Sequence, residues 1–212
     1  MQEVLRDVVH WTATHPKLGI EVSSYWLDAD GIAIDPLLPP EIMDWLRERP
    51  IRATDVLLSN RHHYRDSAAL VDEFDAVVHC NAAGLHEFDE EQHVKGFEPG
   101  HMLPGGVIAF EIDAISPDDT ALVLPGVRAV VLADAVIRME GRKEGGPLRF
   151  VSDGLMDDPE RDRAAILAAL KRLLEEVDFD HLLLAHGGPL IGDGRAQLQR
   201  FVSSGGASGS AG

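Results

Sequence analysis

Between residues 4 and 34 the chain runs through three strand-like stretches, 4–14, 20–27 and 31–34, separated by gaps too short to hold a helix. His15 to Gly19 supplies the first turn, and Asp35-Pro36 stops the third stretch. Strands spaced this closely pair as hairpins. Such an opening meander is at odds with a dinucleotide-binding fold, which starts with a strand, a glycine loop and a helix.

The later pattern adds helices between strands. After Pro39-Pro40, Ile42, Trp45 and Leu46 fall at helical spacing, and the prolines suit a first helical turn. Residues 55–58 read as a short buried strand. A second helix starting at Asp66 or Ser67 turns Leu70 and Val71 inward, and a strand follows over 76–80. Strands are expected over 107–112, 121–124 and 127–132. Ile166, Leu170 and Leu173 then line one side of a helix over 159–176, followed by a strand over 179–184 and a last helix over 194–202. Two packed sheets with helices outside satisfy this order, because each sheet buries one face on the other and one under a helix. One domain is expected over 1–202, with a disordered Gly/Ser-rich tail over 203–212.

Charge narrows the partners. With 19 basic and 36 acidic residues the formal charge is -17, so the summed field repels phosphate backbones and anionic membranes. Nucleic acid and membrane are therefore excluded as general partners, and a small-molecule substrate or anion is expected. Cys80 is the single cysteine, so no internal disulfide forms, and no run of 18 apolar residues occurs. The expected location is the cytoplasm.

Polar residues gather where apolar strands end. Ser59-Asn60-Arg61-His62-His63-Tyr64-Arg65-Asp66-Ser67 follows Val56-Leu57-Leu58, Asp134 follows residues 129–133, and Ala185-His186-Gly187-Gly188 follows residues 181–184. Side chains leaving adjacent strand ends can converge in one preorganised cleft. If residues 60–64 stay extended, Asn60, His62 and Tyr64 share one side, and Arg61, His63 and Arg65 the other. His62, Asp134 and His186 then make an N,O,N ligand set suited to zinc, manganese or iron, with a fourth oxygen from Asp119. The competing reading has both histidines bonded to nearby backbone and Asp134 closing a turn.

Together these stretches resemble the metallo-beta-lactamase fold superfamily. The resemblance spans 4–202 and includes Asp35-Pro36, the loop over 56–67, Ala133-Asp134 and Ala185-His186-Gly187-Gly188-Pro189. It implies an α/β fold, a four-layer alpha-beta/beta-alpha sandwich with a metal site at the mouth between its sheets. The family signature Thr-His-x-His-x-Asp-His, laid over Ser59 to Arg65, puts Asn60, His62, Tyr64 and Arg65 at the four ligand positions, so only His62 keeps a ligand type. Arg65 cannot bind a cation, because a guanidinium only donates. The next family ligand, a histidine in a Pro-Gly-His-Thr turn, has two registers here: Pro99-Gly100-His101 matches by letters and Pro117-Asp118-Asp119-Thr120 by element order. The second, which is preferred, puts Asp119 at the ligand position and leaves His101 in a loop; Asp134 maps to the bridging carboxylate and His186 to the last histidine.

The implied protein is a divergent hydrolase of unknown substrate. It would hold one divalent transition metal, zinc foremost, or none, on His62, Asp119, Asp134 and His186. Asn60, Tyr64 and Arg65 are the expected catalytic positions around it. The alternative is a non-catalytic protein in which Arg65 pairs with Asp134 or Asp119 in place of the metal charge, or receives a small anion.

Overall fold

The computed structural model describes residues 1–206. One sheet of seven strands is built in sequence order. Strands β1 (Gln2–Leu5), β2 (Val8–Thr14), β3 (Glu21–Leu27) and β4 (Ile32–Ile34) form the antiparallel meander. Helix α1 (Pro40–Arg47) precedes β5 (Asp55–Leu57), and helix α2 (Ser67–Phe74) precedes β6 (Val77–Asn81) and β7 (Lys95–Phe97). From β4 to β7 the pairing is parallel, as strands joined by helical crossovers require.

The second sheet runs in the order β13, β10, β9, β8. It contains β8 (Ile108–Glu111), β9 (Thr120–Leu124), β10 (Ala129–Leu132) and, after the hairpin and helix, β13 (His181–Leu184), which pairs parallel to β10. Between them lie the hairpin β11 (Ile137–Glu140) and β12 (Lys143–Arg149), and helix α3 (Pro159–Glu176); α4 (Gly194–Ser203) closes the described chain. Among the described residues no helix is long and apolar enough to cross a membrane.

Alternation along the strands creates the layers. Tyr25, Leu27, Ile32, Ile34 and Leu57 pack between the sheets against Leu122, Ala129, Val131 and Leu183. Their sequence neighbours face outward: Trp26, Ala33, Val56 and Leu58 lie under Ile42, Leu46 and Leu70 of α1 and α2. On the other side Val130, Leu132, Leu182 and Leu184 lie under Ile166, Leu170 and Leu173 of α3 and under Leu198 of α4. The result is helix, sheet, sheet, helix.

Three features depart from the sequence expectation. The edge strand β7 and the hairpin β11–β12 were not signalled, since Lys95-Gly96-Phe97 and Lys143-Glu144-Gly145-Gly146-Pro147 lack apolar alternation. Ser203 ends α4 and 204–206 form a turn, so only 207–212 of the expected tail lie outside the described residues.

Candidate metal centre

One end of the sandwich collects the polar residues. Asp35 follows β4 and Ser59-Asn60 shortly follow its parallel neighbour β5, while Asp134 and His186 follow the parallel pair β10 and β13. Asp119 sits just before β9, which runs antiparallel to β10 and so begins at the same end. Parallel pairing within each sheet, and the packing of the two sheets face to face, bring residues more than a hundred positions apart to one rim.

Local geometry then selects the imidazole. The chain does not stay extended after Asn60; Arg61–His63 forms a single 3-10 turn. At three residues per turn, positions i and i+3 eclipse, which puts Asn60 and His63 on one side. His63 is buried at 4% exposure, and His62 is exposed on the cavity mouth. The expectation that His62 joins Asp134 and His186 is corrected here: His63 takes that place.

The three ligand atoms make a compact triangle. His186 Nε2 lies 3.1 Å from Asp134 Oδ1, His63 Nε2 lies 3.3 Å from His186 Nε2, and His63 Nε2 lies 3.6 Å from Asp134 Oδ1. Neighbouring ligands of a tetrahedral ion with bonds of about 2.0–2.1 Å are separated by about 3.3 Å. His63, Asp134 and His186 are the group among the described residues that could hold a metal ion.

The surroundings orient this set. His63 Nδ1 is 3.0 Å from Asp35 Oδ2, and Asp35 also accepts from the Ser59 backbone N–H at 2.9 Å and from the Ser59 hydroxyl. A carboxylate on one imidazole nitrogen fixes the other toward a metal. Asn60 Nδ2 donates to Asp134 Oδ2 at 2.8 Å, which leaves Oδ1 for the imidazoles. Gly188 N donates to Ser23 Oγ at 3.2 Å and Ser23 N to the Ala185 carbonyl at 2.8 Å, so β3 pins the turn carrying His186. Gly187, at φ +126, is required there, because a Cβ would sit 2.1 Å from the Arg138 carbonyl oxygen.

Electrostatics matches the geometry. Burial by itself pulls the His63 imidazole down, but the Asp35 and Asp134 carboxylates overcome it and hold it up at about 9. Burial pushes Asp134 up, and the two imidazoles more than reverse this, leaving it well below the usual carboxylate range. Asp119 goes the other way: burial and then the Asp134 charge push it well above that range. A cation competes with a proton for the same His63 lone pair.

The remaining expected residues separate. Asp119 lines the cavity at 1% exposure, and neither carboxyl oxygen has a partner, but it lies outside the converging triangle. His101 is exposed in its loop. Tyr64 does not line the cavity; its ring packs on Phe88 with centroids 5.7 Å apart. Arg65 turns inward at φ +44, and its Nη1 donates to the carbonyls of Ser23 at 2.8 Å and Asp35 at 2.6 Å. It therefore hydrogen-bonds to backbone rather than pairing with Asp134 or Asp119, and its Nη2 makes no hydrogen bond. Asp66 accepts from the Leu38 backbone N–H at 2.7 Å instead of capping α2 with its side chain.

Sequence reasoning missed His63 and Asp35. The signal for Asp35 was its place after β4 beside β5; for His63 the sequence carried none, since the turn that inverts the loop is set by burial. The cavity over the triangle is about 650 Å³, with Ile20, Ile137, Met139 and Val151 among its walls.

Comparison with solved structures decides the fold. The di-iron-bound TTHA1623 aligns over 90% of this chain and 97% of its own at 21% identity and a TM-score of 0.64. The metallo-beta-lactamase DIM-1 aligns over 96% of this chain and 95% of its own at 14% identity and a TM-score of 0.72. The chain has the metallo-beta-lactamase fold. An archaeal metallo-beta-lactamase superfamily protein, ST1585 from Sulfolobus tokodaii, shares it at 12% identity and a TM-score of 0.68, over 93% of this chain and 85% of its own. No family model matches the sequence, and no curated protein matches it. Within the metallo-beta-lactamase fold this chain is divergent at the metal site, where the one three-donor group among the described residues could bind a divalent transition metal.

Proposed function

We propose that the protein is a hydrolase working with one divalent ion, zinc foremost, held by His63, Asp134 and His186. The observation that carries this reading is the triangle of 3.1, 3.3 and 3.6 Å, with His63 Nδ1 anchored on Asp35. Two imidazoles and one carboxylate suit zinc, and three protein ligands leave a further position open, as hydrolytic sites require. Bound there, the ion would supply a water of lowered pKa and polarise the oxygen of a scissile bond.

The chain's own residues do the rest. Asn60 holds Asp134 in place through its Nδ2 donor. Asp119, buried under the cavity with neither oxygen hydrogen-bonded, gives up its proton and takes it back. Arg65 positions the loop through the Ser23 and Asp35 carbonyls. The alternative in which Arg65 replaces the metal charge loses support, because its hydrogen bonds go to backbone carbonyls.

The test is elemental analysis of protein purified without chelating resin, with turnover of an ester and thioester panel. About one metal per chain is expected, lost in His63→Ala and Asp134→Ala and kept in His62→Ala. Asp119→Asn keeps the metal and loses roughly 100-fold or more in kcat. Metal retained by His63→Ala, or lost equally in His62→Ala, would sink this assignment.

A further inference from the structure

The wall of the metal cavity is apolar where it adjoins a ligand. Arg138 N donates to the His186 carbonyl at 2.9 Å, so β11 is bonded to the backbone of a ligand residue, and its Ile137 and Met139 line the cavity. Glu21 N donates to the Arg142 carbonyl at 2.8 Å, which ties the start of β3 to the tip of the β11–β12 hairpin. Leu18 and Ile20, just before that bond, line the cavity as well, and Val151 and Leu155 join them from the segment after β12. Leu18 and Leu155 stand 58% and 65% exposed. A contiguous apolar wall over metal ligands marks surface that a ligand covers.

The guanidinium groups of the same lining are already engaged. Arg61 is paired with Asp118 and with Glu87 at 2.8 Å. Arg65 donates Nη1 to two carbonyls, its Nη2 is buried, and its charge faces the Asp35 and Asp134 carboxylates. No other arginine and no lysine lines the cavity among the described residues. Acids do: Asp134 at the triangle and Asp157 at an exposed position, in a chain of net charge -17. A remote carboxylate or phosphate on a ligand would therefore lose hydration with no free cation to offset the loss. The charge of an ion on the triangle, partly cancelled by Asp134, falls at the scissile bond instead.

We infer that the substrate of this site is an uncharged carboxylic ester with an apolar acyl chain, the chain lying against Ile20, Ile137, Met139 and Val151 and covering Leu18 and Leu155. A cavity of about 650 Å³ is in the range that encloses a small molecule. Affinity comes from the area withdrawn from water, and selectivity against anions from the missing counter-charge. In the reaction the oxygen of water bonds to the acyl carbon as the acyl C–O bond breaks. One proton of the water ends on the leaving alcohol, and the other stays on the carboxylic acid until it ionises. The product anion then meets the same acids, which favours its release. The inference rests on the hydrolase reading in calling this ligand a substrate, whereas its binding needs no turnover.

The experiment is calorimetric titration of the full chain, as purified, with methyl ketones that cannot be hydrolysed: 2-butanone, 2-octanone and 7-oxooctanoate. The last is 2-octanone with its terminal methyl replaced by a carboxylate. 2-Octanone is expected to bind with one-to-one stoichiometry, about tenfold or more tighter than 2-butanone and about tenfold or more tighter than 7-oxooctanoate. Leu18→Asp and Leu155→Asp, both at exposed positions, should each weaken 2-octanone several-fold and leave the thermal midpoint unchanged. 7-Oxooctanoate binding as tightly as 2-octanone, no gain with chain length, or an unchanged 2-octanone affinity in both variants overturns the inference. The expected ketone preference in a protein that turns over no ester would sink the hydrolase reading and leave the cavity assignment standing. Ester turnover indifferent to acyl length and charge would sink the present inference alone.

Discussion

At His63 the imidazole is held from both sides, by Asp35 on Nδ1 at 3.0 Å and by Asp134 and His186 at Nε2. Asp35 is 1% exposed, and its second oxygen accepts the Ser59 N–H, so the orienting carboxylate is itself fixed. Removing only its charge tests that role. Asp35→Asn keeps the shape and an acceptor for His63, and is expected to lower metal affinity about 10- to 100-fold while the protein stays folded. The measurement is competitive titration against a metal-sensitive dye; an affinity equal to that of the unaltered protein would mean that Asp35 does not tune the ligand.

Among the elements, α3 covers the outer face of the second sheet. Leu170 is fully buried and packs in the cluster of Ile166, Leu173, Leu182 and Leu198, whereas Lys171 next to it points to solvent and reaches Glu175 only at 3.9 Å. Truncating the first leaves a cavity; truncating the second loses a screened ion pair. Leu170→Ala is expected to cost about 2–5 kcal/mol, and Lys171→Ala less than about 0.5 kcal/mol, by urea denaturation. Equal effects would mean that α3 is not seated on the sheet. The hairpin β11–β12 is a different kind of element, held through Arg138 N to the His186 carbonyl at 2.9 Å and through the Glu21 contacts. It contributes cavity wall more than core.

For the whole molecule, His10 links protonation to global stability. It is 4% exposed on β2, with Nε2 3.1 Å from Ser23 Oγ and its ring against Tyr25. Burial first, and then the N-terminal charge, lower its pKa from 6.5 to about 4. A histidine whose folded value lies below its unfolded value must be neutral to fold. Its full contribution is present above pH 6.5 and is lost as pH falls toward about 4. The loss is on the order of 3 kcal/mol. His10→Gln is expected to flatten that limb of the stability curve, measured by denaturation at a series of pH values; an unchanged limb would show that His10 titrates normally in the folded protein.

The sequence by itself determined the layers and the rim. Alternation in residues 129–132 and 182–184 separates inward from outward side chains, and short gaps at the start force hairpins, because both follow from backbone periodicity and chain length. Asp134 and His186 were legible for the same reason: each leaves the end of an apolar run. Tertiary structure decided which of two adjacent imidazoles enters the site, and that Asp35, 28 positions before His63, stands behind it. An isolated loop over 60–65 has no reason to prefer a 3-10 turn to an extended path. The preference arises only when burial of His63 between two carboxylates, and of Arg65 against the Ser23 and Asp35 carbonyls, outweighs the cost of bending the chain.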